Sequence, residues 1–146
     1  MLLLILAALL LLGGEDKARA APSSRRETEE EAAADGAALV ERANNPRAAA
    51  WQPLFTGEGA SQDLAAALSR WAGIESSGNP LAVSSLGERG LLQCGEAVGR
   101  AVYDPGAWMA LVDPATGQKT HAQLALRLYR WLWEHAAKRI ANPSSD

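Results

Sequence analysis

Hydrophobic and polar positions alternate in distinct regimes along the chain. Leu2 to Leu12 is an unbroken apolar run, and Pro22 to Asp35 holds no large apolar residue at all. From Ser61 onward the apolar positions recur at helical spacing, with Leu64, Ala67, Leu68 and Trp71 on one side. Ser61 supplies an N-cap, and Asp63 places a negative charge in the first turn, where the helix dipole favours it. Gly73 and Gly78 bracket the expected end of this helix. A second helix is expected to begin within Gly90 to Gln93 and run to Val102. After Asp104-Pro105-Gly106, the residues Trp108, Met109 and Leu111 predict a short helical turn. Thr120-His121-Ala122-Gln123 has the form of a capping box. The helix it opens, up to about Ile140, carries Leu124, Leu128 and Trp131 on one face and Leu126, Tyr129, Trp133 and Ile140 on another. A helix apolar on both faces is expected to lie buried centrally, and Asn142-Pro143 ends it. No stretch alternates at period two for long enough to form a strand, so the pattern predicts an all-α protein without internal repeats.

The N-terminal third divides differently. The eleven apolar residues from Leu2 to Leu12 are too few to span a bilayer, which takes about 20, but match the apolar part of a signal peptide. Ala18-Arg19-Ala20 supplies a cleavage pattern. Residues 1–20 are therefore expected to be a signal peptide, and the chain to be exported to a periplasmic or extracellular space. No Lys or Arg precedes the apolar run, so a start placed too late, or a short buried helix, is the competing reading. Absence of a cysteine after the run argues against a lipid anchor. Residues 21–36 are expected to form a flexible acidic linker with some frayed helix, because they offer too little apolar surface to offset the entropy of ordering. Residues 37–146 then form the folded domain. Within it, Ala37 to Ala43 is expected to be a short helix stopped at Asn44-Asn45-Pro46, and Trp51, Pro53, Leu54 and Phe55 an apolar knot over the edge of the core.

Composition narrows the function classes. At 146 residues with 48% hydrophobic residues, the chain is long enough for one domain with a core. Its net charge of −3 argues against a nucleic-acid partner. The single cysteine, Cys94, excludes an internal disulfide and a cysteine zinc cluster. No metal or cofactor is expected, and the chain is expected to be a monomer.

The chemistry concentrates at Glu75. With Leu64 at zero and about 100° per residue, Leu68 lies near 40°, Trp71 near −20° and Glu75 near 20°. Glu75 therefore falls on the apolar stripe. A partly desolvated carboxylate favours its protonated form, which is the state a general acid needs. The alternative is a glutamate at a helix end that swings out to solvent.

The residues from Glu75 to Gln93 read ESSGNPLAVSSLGERGLLQ. This stretch resembles, without a gap, the signature of the soluble lytic transglycosylases: a catalytic Glu, a Ser, Asn-Pro, a Ser, a Gly, then G-L-x-Q. Here these are Glu75, Ser76, Asn79, Pro80, Ser84, Gly87 and Gly90-Leu91-Leu92-Gln93. The resemblance implies a lysozyme-like α-helical fold and peptidoglycan glycan strands as substrate. It implies cleavage of the β-1,4 bond between N-acetylmuramic acid and N-acetylglucosamine, leaving a 1,6-anhydromuramoyl end. It implies Glu75 as the catalytic acid and then base, with Ser84 and Gln93 hydrogen-bonding substrate or holding Glu75. Ser76 is expected with Ser84 and Gln93 among the substrate-binding residues, as a brace for the carboxylate; the alternative is an ordinary surface hydroxyl. Envelope or secretion machinery is a further candidate partner.

The chain departs from the family pattern in three places. Ser85 stands where a proline is usual, and Cys94-Gly95-Glu96 follow the glutamine where an apolar residue, Met and Pro are common. The family's later A-Y-N-x-G motif, whose tyrosine faces the catalytic Glu, has no counterpart; Tyr103 and Tyr129 are the only tyrosines. Two further readings therefore stand beside the transglycosylase. One is a hydrolytic lysozyme using Glu88 or Glu96 as a second carboxylate. The other is an inactive lysozyme-like module that binds peptidoglycan or serves a structural role.

Overall fold

The computed structural model describes residues 22–141. The expected signal peptide, residues 1–20, and the Asn142-Pro143 stop lie outside the described residues. The chain divides into two units between Glu41 and Arg42. Helix α1 (Pro22–Ala43) occupies the described part of the first and ends just inside the second. Its backbone is helical where a linker and a separate short helix were expected. Ala, Glu and Arg are all strong helix formers, and at 22 residues the segment exceeds the roughly 12–15 needed for a marginal helix in water. Residues 31–42 are all exposed, so local propensity carries this part of the helix without a buried face.

The second unit begins with two short helices, α2 (Pro46–Ala49) and α3 (Gln52–Gly57). Asn45 caps α2, its Oδ1 accepting from Arg47 N at 2.8 Å. The expected apolar knot lies inside the core: Trp51 and Phe55 are buried, while Pro53 is exposed. Burying Phe55 contributes about 1.5–3 kcal/mol.

Helix α4 (Gln62–Ser76) forms as its caps predict, with Ser61 Oγ accepting from Leu64 N at 3.2 Å. Its buried residues are Ala65, Leu68, Ser69, Ala72 and Gly73. The buried face is thus centred on small residues, and the stripe of larger ones is its rim. Leu64 and Trp71 are half-buried, and Ala67, expected on the stripe, is exposed. Small residues win because α4 packs closely on α2 and α3. A Cβ on Gly73 would strike the Arg42 carbonyl oxygen.

Residues 77–95 form a loop with two isolated antiparallel bridges, Val83 to Arg89 and Arg89 to Cys94; no strand occurs among the described residues. The second helix of the unit's later half, α5 (Glu96–Val102), starts six residues beyond Gly90. Gly90 and Gln93 adopt φ of +78° and +48°, a left-handed backbone that cannot belong to a right-handed helix. Helix α6 (Pro105–Ala110) follows as expected, capped by Asp104 Oδ1 from Ala107 N at 2.8 Å.

Helix α7 (Gln118–Ala141) starts two residues before Thr120, which is therefore not its N-cap. Among the residues whose burial is described, its buried apolar residues lie in the first half: Ala122, Leu124, Ala125, Leu126 and Leu128. It packs on α3 and α5, and its residues 133–138 are all exposed. The expected central helix outruns its partners. No helix among the described residues is long and apolar enough to cross a membrane.

Candidate active site

Glu75 sits in the last turn of α4, half-buried at the border between the small-residue face and solvent. Its Oε1 accepts a hydrogen bond from Trp71 Nε1 at 3.2 Å. That partner was missed in the reading of the sequence, although the i, i+4 spacing of the two residues places them one above the other. The helix then stops abruptly. Ser77 and Gly78 take φ of +54° and +72°, and their N–H groups return to Gly73 O and Ala72 O, both at 3.0 Å. Gly78 is pressed against α2, and Trp51 Nε1 donates to its carbonyl at 3.0 Å. Arg47 Nη2 reaches Asn79 Oδ1 at 3.2 Å, which ties the Asn-Pro turn to the same helix. The end of α4 is therefore clamped from below, and Glu75 with it.

The three accompanying residues organise the loop. Ser76 Oγ donates toward Leu91 O at 2.8 Å and Ala72 O at 3.0 Å, joining the helix end to the returning chain. Gln93 is buried, and its Nε2 donates to Gly90 O at 2.8 Å and Ala82 O at 3.0 Å. Its amide thus spans the neck of the loop. Ser84 Oγ accepts from Leu86 N at 3.2 Å and Glu88 N at 3.1 Å, and is 3.2 Å from Glu88 Oε2. Among the described residues, none of the three hydrogen-bonds the Glu75 carboxylate. The donor hydrogens that sequence reasoning offered to substrate on Ser76 and Gln93 are engaged by backbone carbonyls.

Glu88 is half-buried beside Ser84, and its charge, after burial itself, helps push the Cys94 thiol up to about 11. Burial therefore keeps Cys94 as an unreactive thiol. A small cavity lies under the returning chain, away from Glu75, with Arg89, Cys94, Tyr103 and His121 in its wall. Burial lowers the His121 pKa below its usual 6.5, and its ring meets Trp51 edge-on at 6.3 Å. Tyr103 OH donates to Leu124 O at 2.7 Å, and burial holds the phenol well above its ordinary range. Neither Tyr103 nor Tyr129 is bonded to Glu75 among the described residues. No three His, Cys, Asp or Glu side chains converge there as metal ligands either.

Chemically, the arrangement offers one positioned carboxylate at a rigid helix end, bordered by a loop held in a fixed shape by Ser76, Ser84 and Gln93. Compared with known proteins, the chain matches no family model, no curated protein and no solved structure.

Proposed function

We propose that this protein is a lytic transglycosylase of lysozyme-like fold that cleaves peptidoglycan outside the cytoplasm. The observation that carries the reading is the half-buried Glu75, braced by Trp71 at the clamped end of α4. Glu75 gives its proton to the glycosidic oxygen as the bond to the anomeric carbon breaks. The resulting carboxylate then takes the proton of the muramic 6-hydroxyl as that oxygen bonds to the anomeric carbon. The proton count closes with one residue, and the sugar supplies the nucleophile, so a second carboxylate is unnecessary. Ser76 and Gln93 act as positioning residues that hold the loop around the scissile bond. Ser84 and Glu88, both half-buried and bonded to each other, shape the turn of that loop.

A second reading, an inactive glycan-binding module, is favoured by Tyr103. Its hydroxyl is committed to Leu124 O, so it does not replace the tyrosine that faces the glutamate in the family pattern.

One experiment separates these readings. Purified protein is incubated with peptidoglycan, and released muropeptides are analysed by mass spectrometry. Anhydro ends support the transglycosylase, reducing ends the lysozyme, and no release the inactive module. Unchanged release by a Glu75→Gln variant would refute the catalytic assignment.

A further inference from the structure

Among the described residues, His121 is the only buried ionisable side chain of α7, and it leans on the clamp that ends α4. We propose that His121 is a pH-sensitive latch: neutral, it holds Trp51 against Gly78 and so fixes the end of α4 with Glu75; protonated, it leaves its place and loosens them. The latch itself stands on packing alone, and its consequence for glycan cleavage rests on the function proposed above. The imidazole meets the Trp51 indole edge-on, with centroids 6.3 Å apart and planes at 89°. On its other side Trp51 is tied down, Nε1 donating to Gly78 O at 3.0 Å. Gly78 N and Ser77 N donate in turn to Ala72 O and Gly73 O of α4, both at 3.0 Å. Two contacts, His121 to Trp51 and Trp51 to Gly78, therefore separate the imidazole from the turn that carries Glu75.

The ring's surroundings accept it only when neutral. His121 is 3% exposed and lies in the first turn of α7, where the positive end of the helix dipole disfavours a cation. Among the described residues no carboxylate pairs with it. From α3, Glu58 is bonded to Gln123 Nε2 at 2.8 Å and paired with Lys119 Nζ at 3.7 Å. In the turn before α7, Asp113 Oδ1 accepts from Ala115 N at 2.8 Å. From the loop, Glu88 is bonded to Ser84, and the residues that share a cavity wall with His121 are the cation Arg89 and the protonated Cys94 thiol. Tyr103, in the same wall, commits its hydroxyl to Leu124 O at 2.7 Å. A backbone hydrogen bond at Thr116 favours the protonated ring, but burial outweighs it.

A charge formed at His121 is thus desolvated and without a counter-ion, and moving the ring out to water removes that cost. The movement takes away the edge that supports Trp51. Linkage sets its size. A ring that titrates near 6.5 when open, and stays neutral when closed, raises the opening equilibrium by at most about 30-fold at pH 5. The chain's other histidine, His135, is exposed and serves as the internal control.

The test uses the full chain and nuclear magnetic resonance between pH 7.5 and 5. Hydrogen exchange at the Ser77 and Gly78 amides and the Trp51 indole N–H is measured and corrected for the intrinsic effect of pH. Their protection should fall by about tenfold on acidification, while the Leu68 amide in the middle of α4 stays protected. The fall should follow the titration of the His121 ring in the same samples. In His121→Gln the protection should no longer depend on pH, and in His135→Gln the dependence should persist. Protection that ignores pH in the parent, or a fall whose midpoint departs from the His121 titration, would overturn the latch. The second of these is read in the parent alone, so it decides the matter even where His121→Gln fails to fold. The two proposals fail separately. Acid loosening with no muropeptide release at any pH sinks only the catalytic reading. Anhydro release with Ser77 and Gly78 protected alike at pH 7.5 and 5 sinks only the latch.

Discussion

Replacing Gly78 by alanine probes the clamp that fixes Glu75. Two costs add at this position. The backbone is left-handed, at φ +72°, where a Cβ costs about 1–2 kcal/mol. The new Cβ would also lie 2.7 Å from Ala48 N and 2.9 Å from both Ala48 Cα and Arg47 C. These are backbone atoms of α2, which no rotamer change can move aside. Overpacking of this kind costs about 1–3 kcal/mol, so Gly78→Ala should destabilise the chain by about 2–5 kcal/mol. Gly87 supplies the control. It has nearly the same φ, +78°, but nothing within 4 Å of its Cβ position. Gly87→Ala should therefore cost only the conformational part, about 1–2 kcal/mol. Urea denaturation followed by tryptophan fluorescence measures both, and the difference between the two variants isolates the collision with α2. Equal losses in the two variants would refute the clamp, because packing would then contribute nothing. A loss at Gly78 below about 0.5 kcal/mol would refute the backbone argument as well.

Two further outcomes are expected. Trp71→Phe keeps the apolar ring but removes the donor to Glu75, and should slow muropeptide release about tenfold, equivalent to about 1.4 kcal/mol, with little change in KM. An unaltered turnover number would show that Trp71 does not position the carboxylate. For His121, burial lowers the folded-state pKa below 6.5, so the unfolded chain binds a proton first as pH falls. Stability is therefore full above about pH 6.5 and declines as pH falls from there toward the folded-state pKa. The thermal midpoint should drop between pH 7.5 and 5, and by less in His121→Gln; a midpoint that rises on acidification contradicts this sign.

Local signals carry some of the caps but not all: the expected Thr120 capping box does not form, because α7 starts two residues earlier, at Gln118. The expected Ser61 cap forms because an N-cap oxygen bonds an N–H only two or three residues away, and Asp104, which was not expected as a cap, does the same for α6. Helical spacing put Glu75 on the apolar stripe with Trp71, one turn away, and the structure makes that stripe the rim of the buried face. Residues 22–36, expected as a linker with some frayed helix, are helical throughout. Lack of apolar residues excludes a core, but it does not exclude a helix that its own propensity sustains.

The helical class, the Ser61 cap and the position of one carboxylate near a helix end were legible in the chain, because each depends on contacts within a turn or so. Their surroundings follow from packing between distant parts of the chain. The apolar residues of Gly90 to Gln93 suggested a helix, but Gln93 spends its amide on Ala82 O and Gly90 O and closes a loop instead. The apolar faces of α7 suggested central burial, but α7 packs on α3 and α5 with its buried residues in the first half, and residues 133–138 are exposed. Trp51 reaches 27 residues along the chain to Gly78 O, and that bond, with the backbone of α2 beneath it, sets where α4 must end. Partners so far apart in the chain leave no periodic trace, because which faces meet depends on the packing of every element at once.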